Sequence, residues 1–536
     1  MFTFMLAFVA LVTAWDNHSP TVELPYAKYI GYYNASTNIN YFRGIPYAQP
    51  PINGLRWRKP QPIEQDKNLW GRTFQATSPG PACHQGLPPP LAGFSSLLSY
   101  PSESEDCLVL DVLVPAKPAS KALPVLVQIH GGGYTSGSAG SYPGDALVHQ
   151  SKGEIIYVST QYRLGMFGFL AGAEIEGNGV ANAGLYDQRA ALEWVQRNIA
   201  SFGGDPSKVT IWGGSAGGGS VTYQLIAGGG LGNPPFSGAI AEYPWWQPLM
   251  NQSTRELQYG AVLKLTNCTS LGCLRLLPEA DLKRANTLSM NTTFPSPGYG
   301  YGVFNYGPVV DGKFIRQLPD DEFKQGNFYS VPTIVDHDAH EGITFSNTSQ
   351  TNQVEETTDA RSLFPNAGPS FFSRLYRIYA ASTFSSTFLQ RQTWFGDFII
   401  NCPTYYMASA MTDHNDNSSA VFKLVFSAGN GLHGATAPFL ASATANFSDA
   451  SNQTIADMLS RYWISFTVTG DPNPLRSKYA PFWPSYGSGG AGSVADGESV
   501  GFDILSITNE TTLIMKDPDM GAQCDFFGSH GYQVSN

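Results

Sequence analysis

Gly213-Gly214-Ser215-Ala216-Gly217 sets a serine among small residues directly after the apolar run Val209-Thr210-Ile211-Trp212. A serine hydroxyl is a weak nucleophile until a base takes its proton and a turn lifts it clear of its surroundings. A sharp strand-to-helix turn does the lifting, at the cost of strained backbone angles and a close approach of strand to helix that favours residues without side chains. A second glycine cluster, His130-Gly131-Gly132-Gly133-Tyr134, follows another apolar run ending at Ile129. Attack on an acyl carbonyl creates a negative oxygen, and backbone N–H groups of Gly132, Gly133 and Ala216 can converge on it where no Cβ blocks the way. In a chain with 56 glycines either cluster alone is an ordinary turn. Both at strand ends of one sheet point to nucleophilic chemistry on a carbonyl.

The elements that would carry these clusters follow from the hydrophobic pattern. Residues 124–129, 154–159 and 209–212 are predicted strands, and residues 185–199 hold Ala190, Ala191, Leu192, Trp194 and Val195 at helical spacing. A helix between the second and third strands makes a βαβ unit. Two further buried strands are predicted at 331–335 and 421–426, each leading into a loop with titratable side chains. The alternation defines an α/β fold: a large, mostly parallel central sheet with helices on both faces, whose ligands bind at the carboxyl ends of the strands. The segments richest in Pro, Gly and Ser, residues 86–104, 294–307 and 485–497, read as surface excursions. No internal repeat and no sharp change of composition marks a domain boundary.

Bulk properties narrow the function further. With 42% hydrophobic and only 14% charged residues the 536-residue chain can bury a large interior. Its net charge of −11, without any cluster of Lys or Arg, excludes a nucleic-acid partner. Residues 1–14, MFTFMLAFVALVTA, are uncharged, apolar and too short to span a bilayer. With Val12 and Ala14 before a cut they read as a secretory signal peptide, leaving residues 15–536 as one extracellular domain without stable membrane insertion. Six cysteines, Cys83, Cys107, Cys268, Cys273, Cys402 and Cys524, suit an oxidising compartment, and their spacing alone leaves the pairing open. Glycan acceptor sequons at Asn34, Asn251, Asn267, Asn291, Asn347, Asn417, Asn446, Asn452 and Asn509, and a weaker one at Asn17 ahead of Pro20, favour a glycoprotein surface.

Longer motifs carry a resemblance. Phe202-Gly203-Gly204-Asp205-Pro206 leading to Ser215-Ala216-Gly217, Glu105-Asp106-Cys107-Leu108, Gly44-Ile45-Pro46-Tyr47-Ala48, Tyr162-Arg163-Leu164-Gly165 and Gly184-Leu185-Tyr186-Asp187-Gln188 occur in that family's order. On these motifs the chain resembles the type-B carboxylesterase/lipase family, which includes cholinesterases and fungal lipases and has the α/β-hydrolase fold. Val109 departs from the aromatic residue or Thr usual at its position. The resemblance implies a Ser-Glu-His triad in that chain order: Ser215 as nucleophile, Glu341 before Gly342 as acid, and His433 before Gly434 as base. His433 would take the proton of Ser215 and return it to the leaving alcohol, while Glu341 steadies the imidazole and its cation. Asp336 and Asp338 share the predicted acid loop, and Asp338 is the alternative acid. His337 and His340 read as loop surface rather than metal ligands, and neither a metal nor another cofactor is expected. The resemblance further implies bridges Cys83–Cys107, Cys268–Cys273 and Cys402–Cys524, and structural ion pairs Arg56–Glu105 and Arg163–Asp187.

Departures from the family pattern bear on the substrate, a small-molecule ester. Cholinesterases bind a quaternary ammonium against a Trp in the first disulfide loop and carry a Glu just before the serine. Here residues 83–107 hold no Trp and Gly214 precedes Ser215, so choline esters are not expected. Fungal lipases use a longer loop as a lid, whereas Pro88-Pro89-Pro90 breaks any helix here and leaves Leu91, Phe94, Leu97, Leu98 and Tyr100 as its apolar face. Where many relatives read Gln-Ser-Gly, this chain reads Glu242-Tyr243-Pro244 and then Trp245-Trp246, two rings expected to narrow the acyl pocket or to lie in the core. The leading expectation is a serine carboxylesterase favouring soluble esters with short acyl chains. A triacylglycerol or sterol-ester lipase is the alternative within enzymes, and a non-catalytic adhesion protein the alternative outside them.

Overall fold

The computed structural model describes residues 19–89, 91, 102–292, 300–414, 420–441, 450–487, 494–495, 498–499 and 501–536. The signal-peptide reading, Phe94, Leu97, Leu98 and Tyr100 of the first disulfide loop, and the sequons at Asn17, Asn417 and Asn446 lie outside these residues.

An eleven-stranded sheet runs through the molecule. In chain order its strands are β1 (Tyr32–Asn34), β2 (Ile39–Pro46), β3 (Val109–Pro115), β4 (Leu123–Ile129), β5 (Ile156–Thr160), β6 (Gly204–Gly214), β7 (Gly238–Glu242), β8 (Thr333–Asp338), β9 (Val421–Phe426), β10 (Asp503–Ile507) and β11 (Thr512–Lys516). Across the sheet they run β11-β10-β9-β8-β7-β6-β4-β5-β3-β2-β1. The seven strands from β10 to β5 are parallel, and antiparallel strands close both edges. The two-residue strand period divides the interior. Val125, Val127 and Ile129 of β4 pack into one apolar layer and Leu126 into the other. Helices α1 (Ala183–Asn198), α2 (Ala216–Leu225) and α3 (Cys402–Asp413) cover the first face, while α4 (Ala450–Thr469) covers the second with Leu459, Tyr462 and Trp463. Central strands buried on both faces explain their nearly unbroken apolar sequences.

Two sequence expectations need correction. β8 starts at Thr333 and runs through Asp338, so Asp336, His337 and Asp338 lie in the sheet and not in a loop. The ladder decides this: Glu242 of β7 pairs with Asp336, and Asp338 pairs with Phe426 of β9, whatever the polarity of the side chains. His337 is accordingly buried, with Nε2 3.0 Å from the Asp519 carboxylate, and only His340 is exposed. The glycine-rich segment after Phe294 is likewise not a surface excursion where it is described, because Val303, Phe304 and Tyr306 are core residues.

The disulfides join Cys83 to Cys107, Cys268 to Cys273 and Cys402 to Cys524, the pairs the resemblance implies. Arg56 grips Glu105 at 2.6 and 2.7 Å and donates to the carbonyls of Arg275 and Leu277, tying the first disulfide loop to the segment just after the Cys268–Cys273 bridge. Arg163 grips buried Asp187 through two bonds of 2.7 Å at the start of α1. None of the described sequon asparagines is buried: Asn251, Asn267, Asn291 and Asn509 are exposed, and Asn34, Asn347 and Asn452 half-buried.

Candidate active site

β6 ends at Gly214, α2 begins at Ala216, and Ser215 between them has φ +60° and ψ −125°, a strained conformation for a residue with a Cβ. The neighbouring glycines permit this turn. A Cβ on Gly217 would lie 2.2 Å from the Ile129 carbonyl oxygen, so β4 and α2 could not approach as they do. The turn is pinned from below: the Ser215 amide donates to the Glu242 carbonyl at 3.1 Å, and its own carbonyl accepts from Trp245 N at 3.0 Å. A Cβ on Gly214 would fall 2.4 Å from the Tyr243 hydroxyl, so that phenol fills the room a side chain before the serine would need.

The loop after β4 lines the same cavity as Ser215 through Gly132 and Gly133. The carbonyl of Gly132 accepts from Thr135 N, Ser136 N and Ser136 Oγ at 2.9–3.1 Å. In a planar trans peptide this turns the Gly133 N–H away from that carbonyl, and both glycines line the cavity. Gly132 and Gly133 have φ +104° and +62°, which only glycine adopts freely. Burial pushes His130 down to about 4, so it stays neutral and anchors the loop by stacking on Tyr162 at 4.3 Å. Ala216 opens a ten-residue helix, where free N–H groups and the helix dipole favour negative charge.

His433 lies in the turn after β9 with Nδ1 2.5 Å from Glu341 Oε2. Glu341 is 1% exposed, and its other oxygen accepts from Asp338 N at 2.7 Å. The imidazole is walled by Tyr243 and Phe345, each 4.9 Å away edge to face, with Trp245 at 6.1 Å. Its Nε2 is buried without a hydrogen-bond partner and faces the cavity it shares with Ser215. Asp338 does not touch the imidazole. Its Oδ2 accepts from Gly434 N at 2.7 Å and Ala435 N at 3.1 Å.

Ser215 and His433 line a cavity of about 300 Å³ together with Gly132, Gly133, Tyr142, Tyr243, Phe304 and Phe345. Leu87 and Leu91 of the first disulfide loop close one side. Neither Trp245 nor Trp246 lines it, which corrects the expectation that either ring shapes the pocket directly. Trp245 stands one layer back, behind Phe304 at 5.6 Å and Phe345 at 4.5 Å. Trp246 stacks on Phe323 and donates to Thr222 Oγ1 at 3.1 Å, inside the core. The walls that sequence reasoning passed over are Phe304, hidden in a glycine-rich stretch, and Phe345, four residues after Glu341. A larger hollow of about 440 Å³ shares only Tyr142 with this cavity and is lined by Arg43, Asp111 and Asp145, but by no nucleophile beside a base.

Fold and site together define an α/β-hydrolase with a serine, a histidine and a carboxylate at the carboxyl end of its sheet. Comparison with known proteins makes this specific. The model of the Carboxylesterase family matches residues 18–497, and the chain belongs to that family as a carboxylic ester hydrolase. Carboxylesterase patB of Penicillium expansum is 30% identical over 88% of this chain and 92% of its own. Secreted lipase 1 of Botryotinia fuckeliana is 33% identical over 88% of both. The crystal structure of Aspergillus niger EstA matches 97% of this chain and 100% of that one with a TM-score of 0.82 at 29% identity.

Proposed function

We propose that the protein is a secreted serine carboxylesterase acting through Ser215, His433 and Glu341 and an acyl-enzyme intermediate. The observation that carries this reading is the buried, unpartnered Nε2 of His433 in the same cavity as Ser215, with Glu341 on the opposite ring nitrogen. Nε2 takes the Ser215 proton as Oγ adds to the ester carbonyl carbon. The resulting oxyanion lies against the N–H groups of Gly132, Gly133 and Ala216. Collapse of the adduct expels the alcohol, which takes the proton from His433, and leaves the acyl group on Ser215. Water then attacks by the same route and releases the acid. Glu341 holds Nδ1 protonated and balances the imidazolium formed in each half.

Three disulfides and a relative called a secreted lipase support export, with residues 1–14 removed and residues 15–536 left as one hydrolase domain. The aromatic walls and modest volume of the cavity support short acyl chains on soluble esters. Lipase activity is the second reading, favoured by apolar Leu87 and Leu91 at the cavity edge and by the lipases among the relatives. The test is burst kinetics with a p-nitrophenyl ester, followed by mass mapping of the trapped acyl group. An acylated Ser215 peptide in the parent and none in Ser215→Ala is expected. An undiminished rate in Ser215→Ala or His433→Ala overturns the reading.

A further inference from the structure

Three carboxyl groups that the chemistry does not use lie beneath His433. Glu242 ends β7, and Asp336 and Asp338 project from one face of β8, two residues apart, with Glu242 in register with Asp336. Glu242 and Asp338 are 0% exposed, as is Asp336. Each holds part of the catalytic scaffold. Asp338 Oδ2 accepts from Gly434 N and Ala435 N, and its own amide donates to Glu341. Glu242 Oε1 accepts from Thr436 Oγ1 at 2.8 Å and its Oε2 from the Trp212 indole. Asp336 Oδ1 accepts at 2.9 Å from the amide of Tyr243, whose ring packs on the imidazole.

The three differ in what remains over. Both oxygens of Glu242 accept hydrogen bonds. Asp336 Oδ2 and Asp338 Oδ1 are buried with no partner. A buried carboxylate oxygen without a donor is costly, and two like charges two residues apart on one strand face are more so, whereas a carboxylic acid supplies its own donor. The groups acting on this pair are Glu242 from β7, Glu341 and Tyr243. Tyr142 adds a phenol and His433 sits above. The nearby cations Lys423 and His337 are bonded instead to Asp519, with Lys423 also on Asp517, and belong to the opposite face of the sheet by strand register.

We propose that Asp338 is a positioning residue for His433, and that the Asp336–Asp338 pair carries out this role by holding a proton at neutral pH on one of its two unpartnered oxygens. Burial, reinforced for Asp336 by Glu242 and for Asp338 by Glu341, holds both carboxyls well above the usual carboxylate range. With the proton on Asp338, its neutral carboxyl still accepts both backbone N–H groups on Oδ2, so the His433 turn is fixed without a second negative charge beside Glu341. The inference rests on His433 being the base in ester hydrolysis.

The test uses Asp338→Ala, Asp338→Asn and the double variant Asp336→Asn/Asp338→Asn in the full-length protein. An asparagine carbonyl replaces Oδ2 and its NH2 group the protonated oxygen, so Asp338→Asn stays close to the parent in kcat. Asp338→Ala frees two amides of the turn, and kcat drops roughly 100-fold with little change in KM, as misplacement of a catalytic group does. Infrared difference spectra at neutral pH show the carbonyl stretch of a protonated carboxylic acid in the parent that is missing in the double variant. That readout does not depend on activity, so it separates failure of this inference from failure of the triad reading, which His433→Ala tests. Asp338→Asn as impaired as Asp338→Ala, or no carboxylic acid band lost in the double variant, overturns the proposal.

Discussion

Gly133→Ala separates two properties of the proposed oxyanion loop. At φ +62° an alanine carries the left-handed penalty, about 1–2 kcal/mol. Its Cβ would also lie 2.1 Å from the ring of Phe304, far inside contact distance. Phe304 is backed by Trp245 at 5.6 Å, so the strain falls on the loop, and the Gly133 N–H is expected to leave the position proposed for the oxyanion. Loss of one such donor lowers kcat by roughly 10²- to 10³-fold. Removing the ring in Gly133→Ala/Phe304→Ala takes away the collision and leaves only the backbone penalty, a factor of about 5–30. The double variant should therefore outpace the single one by more than Phe304→Ala changes the parent rate, a gain that additive effects do not produce. The assay is kcat and KM for p-nitrophenyl acetate in the parent, both single variants and the double variant, with thermal melting as a check on folding. Gly132→Ala is the contrast, because its Cβ would meet the Ser136 backbone oxygen at 2.1 Å and no side-chain deletion relieves it. A double variant no faster than Gly133→Ala, or a Gly133→Ala enzyme at the parental rate, refutes the placement of this amide.

Glu341→Gln disturbs the partner of His433 Nδ1 at 2.5 Å and should lower kcat on the order of 10³- to 10⁴-fold, measured as initial rates on a soluble ester. Trp246→Ala should cost about 3–5 kcal/mol in denaturant unfolding yet leave the acyl-length profile unchanged, because the ring is core and not pocket. Phe304→Ala should move the acyl optimum toward longer chains by about 0.8 kcal/mol for each methylene newly buried, read from kcat/KM across an ester series; an unmoved optimum removes Phe304 from the acyl side. Burial pushes the Asp111 carboxyl up to about 6, against about 3.9 in an unfolded chain. The folded protein then keeps a proton that the unfolded chain releases, so stability present below about pH 4 is lost as the pH rises to about 6. Asp111→Asn should flatten the melting temperature over that window, since its amide oxygen can still accept from Gly44 N.

What was readable in the sequence was what local chemistry dictates. The strand at 421–426 has the expected bounds, and α1 begins two residues before its predicted start, because apolar period and buried position coincide there. The glycine patterns located the strand-to-helix turn at Ser215 and the loop after β4 because both need backbone that side chains would obstruct. β8 was misjudged for the opposite reason. Its last three residues are polar, and only pairing with β7 and β9, strands about 90 residues away on either side, holds them in the sheet. The pocket walls were illegible on similar grounds. Phe304 and Phe345 reach the cavity from segments with no periodicity, whereas Trp245-Trp246 follows the strand that pairs with the elbow strand and yet turns into the packing behind the cavity.

The backbone of Ser215 has an evolutionary implication. A residue held at φ +60° and ψ −125° stores about 1–3 kcal/mol of strain that a glycine would release. Mutational drift at this codon is therefore not symmetric: exchanging the proposed nucleophile for glycine would end turnover by the triad and at the same time relieve the backbone. A duplicated copy freed from selection for hydrolysis moves downhill in that direction and keeps an intact, more durable surface for some other use. The serine at this position thus keeps the proposed nucleophile at the cost of backbone strain that a glycine would release.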